Sequence, residues 1–302
     1  MEKCLIGWFL MAATIAGAQD LSFSIPPANV TGTYSPDTGL TVVSTMTIGH
    51  SGRECSYFIT FSAGNSGVFT GRTAKSGSNK LNYQIYDNMT NQDALEDLTA
   101  SPSSNNVLSG SFSHGNHAQV QTFTSYFAPN QLPVAGTHTD SLTMNIYIGT
   151  IARHGASVAN QTFSVGIAVL TLLDIAIVPT GSPFNVAGTS PTLNFGTLST
   201  GQVLSADFMV RSNYLNTVKV TSTNGQILQN GISGDTSQIP YTFAFNGLSV
   251  TLPKATAVNV ITSQAATPAA GKRYPMSFTI GSFGFVRAAT YTDNITFTAT
   301  SN

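Results

Sequence analysis

Two stretches far apart in this chain align without a gap, and each leads into a strict alternation of apolar and polar residues. Ala135-Gly136-Thr137-His138-Thr139-Asp140-Ser141-Leu142-Thr143-Met144 matches Ala288-Ala289-Thr290-Tyr291-Thr292-Asp293-Asn294-Ile295-Thr296-Phe297. A period of two is the mark of a strand with one face buried. Leu142, Met144, Ile146 and Ile148 then line one face of the first strand, and Ile295, Phe297 and Ala299 the matching face of the second. A second pair lies upstream: Leu81-Asn82-Tyr83-Gln84-Ile85-Tyr86-Asp87-Asn88 resembles Ile239-Pro240-Tyr241-Thr242-Phe243-Ala244-Phe245-Asn246. Each copy follows a strand and a glycine-bearing turn, Ile59 to Gly67 in one and Val218 to Gly225 in the other. A chain written twice in this way predicts two related β-sandwich domains.

Composition supports the same class. Charged residues are only 8% of the chain, against a usual ~25%, and Thr, Ser, Asn and Gly fill the polar positions. These residues form helices poorly, whereas Thr with Val, Ile, Phe and Tyr suits a pleated, half-buried surface. The expected fold is all-β, two tandem immunoglobulin-like sandwiches. One helix-like segment, Asn91 to Leu98, is expected to make a turn or two, and the Ser- and Asn-rich stretch from Thr99 to Asn106 reads as a loop.

Residues 1–18 read as a secretory leader: Lys3, an apolar run from Leu5 to Ile15, then Ala16-Gly17-Ala18 as the small-residue cleavage pattern. The mature chain is expected to begin at Gln19. The apolar run falls short of the ~20 residues needed to span a bilayer. Phe163 to Val178 is interrupted by Gly166, Thr171 and Asp174 and reads as a buried strand. The first domain is expected over residues 19–152, with a polar linker over 153–162 carrying Arg153, Gly155, Ser157 and Asn160. Phe163 opens a second domain over 163–302.

Little in the sequence points to chemistry. Basic residues are scattered singly and the net charge is −1, which offers nothing to neutralise a nucleic-acid backbone. Gly64-Asn65-Ser66-Gly67 is one letter from a serine-protease nucleophile loop but lacks a matching His and Asp context, and a plain turn is the expectation. His114 and His117 are three apart around Gly115, near Asp87, Asp93, Glu96 and Asp97; in a strand that spacing sends the rings to opposite faces, which argues against a metal. His138 is expected to pack at a strand entrance. Asp140 and Asp293 hold equivalent places, where a carboxylate more often fixes a turn by accepting backbone hydrogen bonds than hydrolyses anything. Asn160 and Asn294 each begin Asn-x-Thr, as chance produces in a chain this rich in both residues. No catalytic residue, metal or cofactor is nominated, and an enzyme is not expected. Cys4 leaves with the leader, so Cys55 has no partner in the mature chain and is expected to act as an apolar filler in the strand Cys55 to Ile59.

Three of these segments together resemble the spore coat protein U-like domain family, found in subunits of archaic bacterial chaperone/usher pili. They are Cys55-Ser56-Tyr57-Phe58, the strand Leu81 to Tyr86, and Gly136 to Asp140 followed by the alternating strand. The first copy has His138 where the family's closing motif has Tyr. The second keeps Tyr291 and Asp293 but has Ala289 for the Gly, and the family's second cysteine is absent.

The resemblance implies sandwiches that lack a strand and take it from a partner by strand addition. It implies a periplasmic chaperone, an outer-membrane usher and a neighbouring pilus subunit as partners, with export through the periplasm to the cell surface. A donor subunit needs a long alternating N-terminal extension, but Leu21-Ser22-Phe23-Ser24-Ile25 is stopped by Pro26-Pro27. The first domain is therefore expected to be complete and the second to accept a strand, the layout of a tip adhesin that meets a host or abiotic surface. Ile295 and Phe297, faced by Ile167 and Val169, are the expected groove residues; Pro27, Val30, Tyr126 and Phe127 are the expected surface-contact loops. A shaft subunit, or a secreted coat or carbohydrate-binding protein with complete sandwiches, is the alternative.

Overall fold

The structure is a computed structural model and describes residues 20–302; the expected leader lies outside the described residues. The strands of the first half are β1 (Asp20–Ile25), β2 (Val30–Tyr34), β3 (Leu40–Ser51), β4 (Cys55–Phe61), β5 (Arg72–Ser76), β6 (Asn79–Tyr86), β7 (Leu108–Phe112), β8 (His117–Phe127), β9 (Gly136–Thr150), β10 (Arg153–His154) and β11 (Ala159–Val169). One face runs β1-β3-β8-β6 and the other β7-β4-β9-β11-β2, with β5 joining them: it pairs with β6 and meets β9 at Lys75 and Thr139. Alternate residues of the two faces, among them Met46, Ile59, Phe123, Met144 and Val165, point inward to one core.

The second half contains β12 (Leu173–Val178), β13 (Val203–Ser212), β14 (Asn216–Ser222), β15 (Ile227–Gln229), β16 (Gln238–Phe245), β17 (Leu248–Val250), β18 (Val258–Gln264), β19 (Lys272–Ile280) and β20 (Ile295–Ser301). Its sheets run β12-β13-β19-β16-β15, with β17 on β16, and β18-β14-β20. They enclose a separate core around Phe208, Val218, Phe243 and Ile280. The all-β architecture expected from the alternation is what forms.

Several local expectations are corrected. Phe163 does not open the second half. It lies inside β11, which pairs along its whole length with β9 and in parallel with β2. Of the residues expected as a linker, 153–158 are the connection between β9 and β11, with β10 folded back onto the end of β9, while 159–162 already belong to β11. Phe163 to Val178 is two strands, not one, broken at Leu170-Thr171-Leu172. Asn91 to Leu98 forms no α-helix: Ala94 bridges Tyr86, and only Leu98–Ala100 makes a short 3-10 turn, capped by the Asp97 carboxylate. Side-chain capping competes with helix propagation in a segment this short.

Arg72 is the largest polar group in the first core. Fully buried, it donates to the carbonyls of Ser62 (2.9 Å) and Leu95 (2.5 Å) and to the Gln84 side chain. Burial lowers its pKa to about 10; it stays charged at neutral pH and ties β4, β5 and the 95–97 segment together.

Candidate partner-binding groove

The duplication seen in sequence extends to the sheets strand by strand. β1, β3, β8, β6 and β5 correspond in order to β12, β13, β19, β16 and β15; β4 with β7 corresponds to β14 with β18, and β9 to β20. The repeated Asp sits at the same joint in both halves. Asp140 accepts from the Tyr83 hydroxyl at 2.7 Å and from the Asn65 amide at 2.8 Å, and Asp293 accepts from the Tyr241 hydroxyl at 2.6 Å and from the Asn224 amide at 3.0 Å. Each carboxylate thus pins a turn and bonds across to the opposite sheet. Gly64, at positive φ in the Gly64–Ser66 turn, lets the chain come this close; an added Cβ would collide with the Asp140 carboxylate. Burial, then the neighbouring carboxylate, pushes both tyrosine pKa values up. These are structural joints, as expected for the two aspartates. Their tyrosine partners were missed, although Tyr83 and Tyr241 hold the same place in the second repeated segment.

Apart from the two-residue β10, two strands of the first half have no counterpart in the second: β11 and β2. β9 is covered on one side by β4 and on the other by β11, whose Phe163, Val165, Ile167 and Val169 close the core. β20 is paired on one side by β14, over Asn216 to Ser222, and ends its sheet on the other. The consequence shows on the aligned residues. Leu142, Met144 and Ile146 are each 0% exposed, whereas Ile295, Phe297 and Ala299 are only partly buried.

β12 approaches β20 from the other sheet without pairing to it. Leu173, Ile175 and Ile177 on β12 are likewise only partly buried against the core. The two edges thus present partly buried apolar side chains side by side, with Phe297 stacked on Phe208 at 4.6 Å. The missing β2 counterpart follows from the missing β11. β2 is held by pairing with β11, and with no such strand to pair with, residues 179–202 form no strand. An open edge beside apolar side chains is a template for strand addition.

The expected site residues divide. Ile295 and Phe297 lie partly buried on the open edge strand β20. Ile167 and Val169 do not: they are buried in the first core on β11, because that strand belongs to the first sandwich. Val30 and Phe127 are fully buried and Pro27 is buried, so they cannot form a contact surface; the apolar residues of a prolyl corner and a strand end turn into the core. Tyr126 is partly buried on β8. Cys55, free and partly buried, begins β4 and packs on the first core. His138 is fully buried, and burial lowers its pKa, the Gly136 backbone opposing in part. His117 meets the Ser113 hydroxyl and the His114 carbonyl, and no group of three metal-ligating side chains occurs among the described residues. No helix among them is long and apolar enough to cross a membrane.

Residues 9–145 match the family model of the Spore Coat Protein U domain. The chain is similar to that domain over most of its first half. The match ends inside β9, so β11 and the whole second half lie beyond it. None of the curated proteins matches the chain in sequence. Among solved structures, the chain is similar to one in the CsuC-CsuE chaperone–tip adhesion subunit pre-assembly complex from archaic chaperone-usher Csu pili of Acinetobacter baumannii. The identity is 14%, 93% of this chain and 99% of that one are covered, and the TM-score is 0.42. It is similar to CfaE, the adhesive subunit of CFA/I fimbria of enterotoxigenic Escherichia coli, at 12% identity, 91% and 92% coverage and TM-score 0.37. It is also similar to the CupB6 tip adhesin from Pseudomonas aeruginosa, at 10% identity, 92% and 93% coverage and TM-score 0.32. The open edge is defined by the contrast between the first half and its repeat.

Proposed function

We propose that this protein is an exported subunit of a bacterial surface pilus, with residues 20–169 and 173–302 as its two domains. The first is complete; the second receives its missing strand from a partner, first a periplasmic chaperone, then, at the outer-membrane usher, a neighbouring subunit. The observation that carries this is the uncovered edge of β20 beside the fully covered, sequence-matched edge of β9. A strand added there would supply main-chain hydrogen bonds along β20 and apolar side chains at every second position over Ile295, Phe297 and Ala299. A tip position fits β1, which a shaft subunit would need free to donate but which here pairs with β3. In that position the first domain faces the surface, host or abiotic, to which the pilus attaches.

The test is expression of residues 19–302 in a periplasm with and without the chaperone and usher of the same bacterium. A soluble one-to-one complex that forms only with the chaperone supports the reading. Full yield of a stable monomer without it refutes the missing strand.

A further inference from the structure

The junction between the halves shows how a filled edge continues into its neighbour. β11 completes the first half, and its last residue, Val169, stands opposite Gly136. Only Leu170, Thr171 and Leu172 separate it from β12, the first strand of the second half. The strand that fills one body therefore leads at once into the next, and the two bodies touch where it emerges. Arg211 of β13 bonds Asp37, in the turn between β2 and β3, at 2.7 Å, and Asp174 of β12 at 2.8 Å. The β8–β9 connection lies against that same turn, the Asn130 amide donating to the Pro36 carbonyl at 2.7 Å.

The second half repeats this end without a neighbour. Its β19–β20 connection, residues 281–294, lies beside the 195–202 turn, where the Gly201 amide donates to the Ile280 carbonyl at 2.8 Å. Ala289 aligns with Gly136, so a strand entering in the register of β11 would emerge beside Ala289. Four residues away stands Phe285, at 110% relative exposure, between Phe283 and Val286, which are both packed on the second core. Three residues before the aligned segment, the first half has Leu132 in this place, and it is partly buried. An aromatic ring held out by two anchored neighbours is an exposed apolar contact that the isolated chain leaves unused.

We infer that Phe285 docks against the folded body of the same chain whose strand fills the groove. That partner is a β-domain with an alternating N-terminal strand joined to its first core strand by a linker as short as Leu170–Leu172. A three-residue linker reaches ~10 Å at most, so the partner's body must begin beside Ala289, within range of Phe285. This inference rests on the proposed strand acceptance.

The experiment places the photo-crosslinking residue p-benzoylphenylalanine at 285 or, on the exposed face of β20, at 298, in the full chain expressed in its own bacterium. Position 298 is expected to capture the N-terminal segment of a pilus subunit, and position 285 the same subunit within a few residues of its first core strand. Capture at 298 with none at 285, or with a different protein at 285, overturns the docking role and leaves strand acceptance standing. No capture of an N-terminal segment at 298 overturns both.

Discussion

Leu142 and Ile295 occupy equivalent positions, and shortening each to alanine removes the same three carbons, a transfer loss of ~2.4 kcal/mol at ~0.8 kcal/mol per carbon when fully buried. Under β11, Leu142 is enclosed on every side, so Leu142→Ala also leaves a cavity and is expected to cost about 3–5 kcal/mol. Ile295 sits partly buried on the open edge strand β20. Solvent fills the space left by Ile295→Ala, no cavity term arises, and part of the side chain was already wet, which leaves about 1–2 kcal/mol. Hydrogen exchange read by mass spectrometry on peptides from β4 and β14 measures the opening free energy of each half in the same sample. With a synthetic peptide of the β11 sequence, residues 159–169, bound at the groove, the cost of Ile295→Ala should rise toward that of Leu142→Ala. Equal costs in the free chain would mean the groove is already covered and would refute the reasoning.

Tyr83→Phe removes a buried hydrogen bond to the Asp140 carboxylate and is expected to destabilise the first half by about 1.5–3 kcal/mol. Tyr241→Phe should cost less, because Asp293 is partly exposed; urea unfolding of the two variants compares them. Arg72→Met removes the side-chain donors to the part-buried Ser62 and buried Leu95 carbonyls, at ~1–3 kcal/mol for each group left unpaired, and should lower the unfolding midpoint of the first half alone. His138 has its pKa depressed by burial, so the unfolded state takes up a proton first as the pH falls. Its contribution to stability is present above the unfolded value of about 6.5 and is lost as the pH drops through the folded value; His138→Phe should remove that part of the slope in a pH series of melting curves. Arg211→Ala breaks the link to Asp37 and should loosen the relative orientation of the halves, seen as a broader scattering-derived distance distribution, with both melting transitions retained.

Alternation fixed the strand class because it is local: a residue's neighbours two positions away already say which face it takes, and Leu142 to Ile148 lie on the face their spacing implied. The duplication was legible for the same reason, down to the equivalent roles of Asp140 and Asp293. Which body a strand joins is not local. Phe163 to Val169 has the same pattern whether it opens the second sandwich or closes the first, and only its pairing with β9 and β2 decided for the first. That choice moved Ile167 and Val169 out of the candidate groove and, by giving the first half a strand that the second lacks, left β20 open. Val30 and Phe127 show the same limit, since an apolar residue beside proline reads alike in an exposed loop and in a strand that turns inward. Sequence determined the strands and their faces; the order of strands within each sheet, set by contacts between residues distant in the chain, determined where the unpaired edge falls.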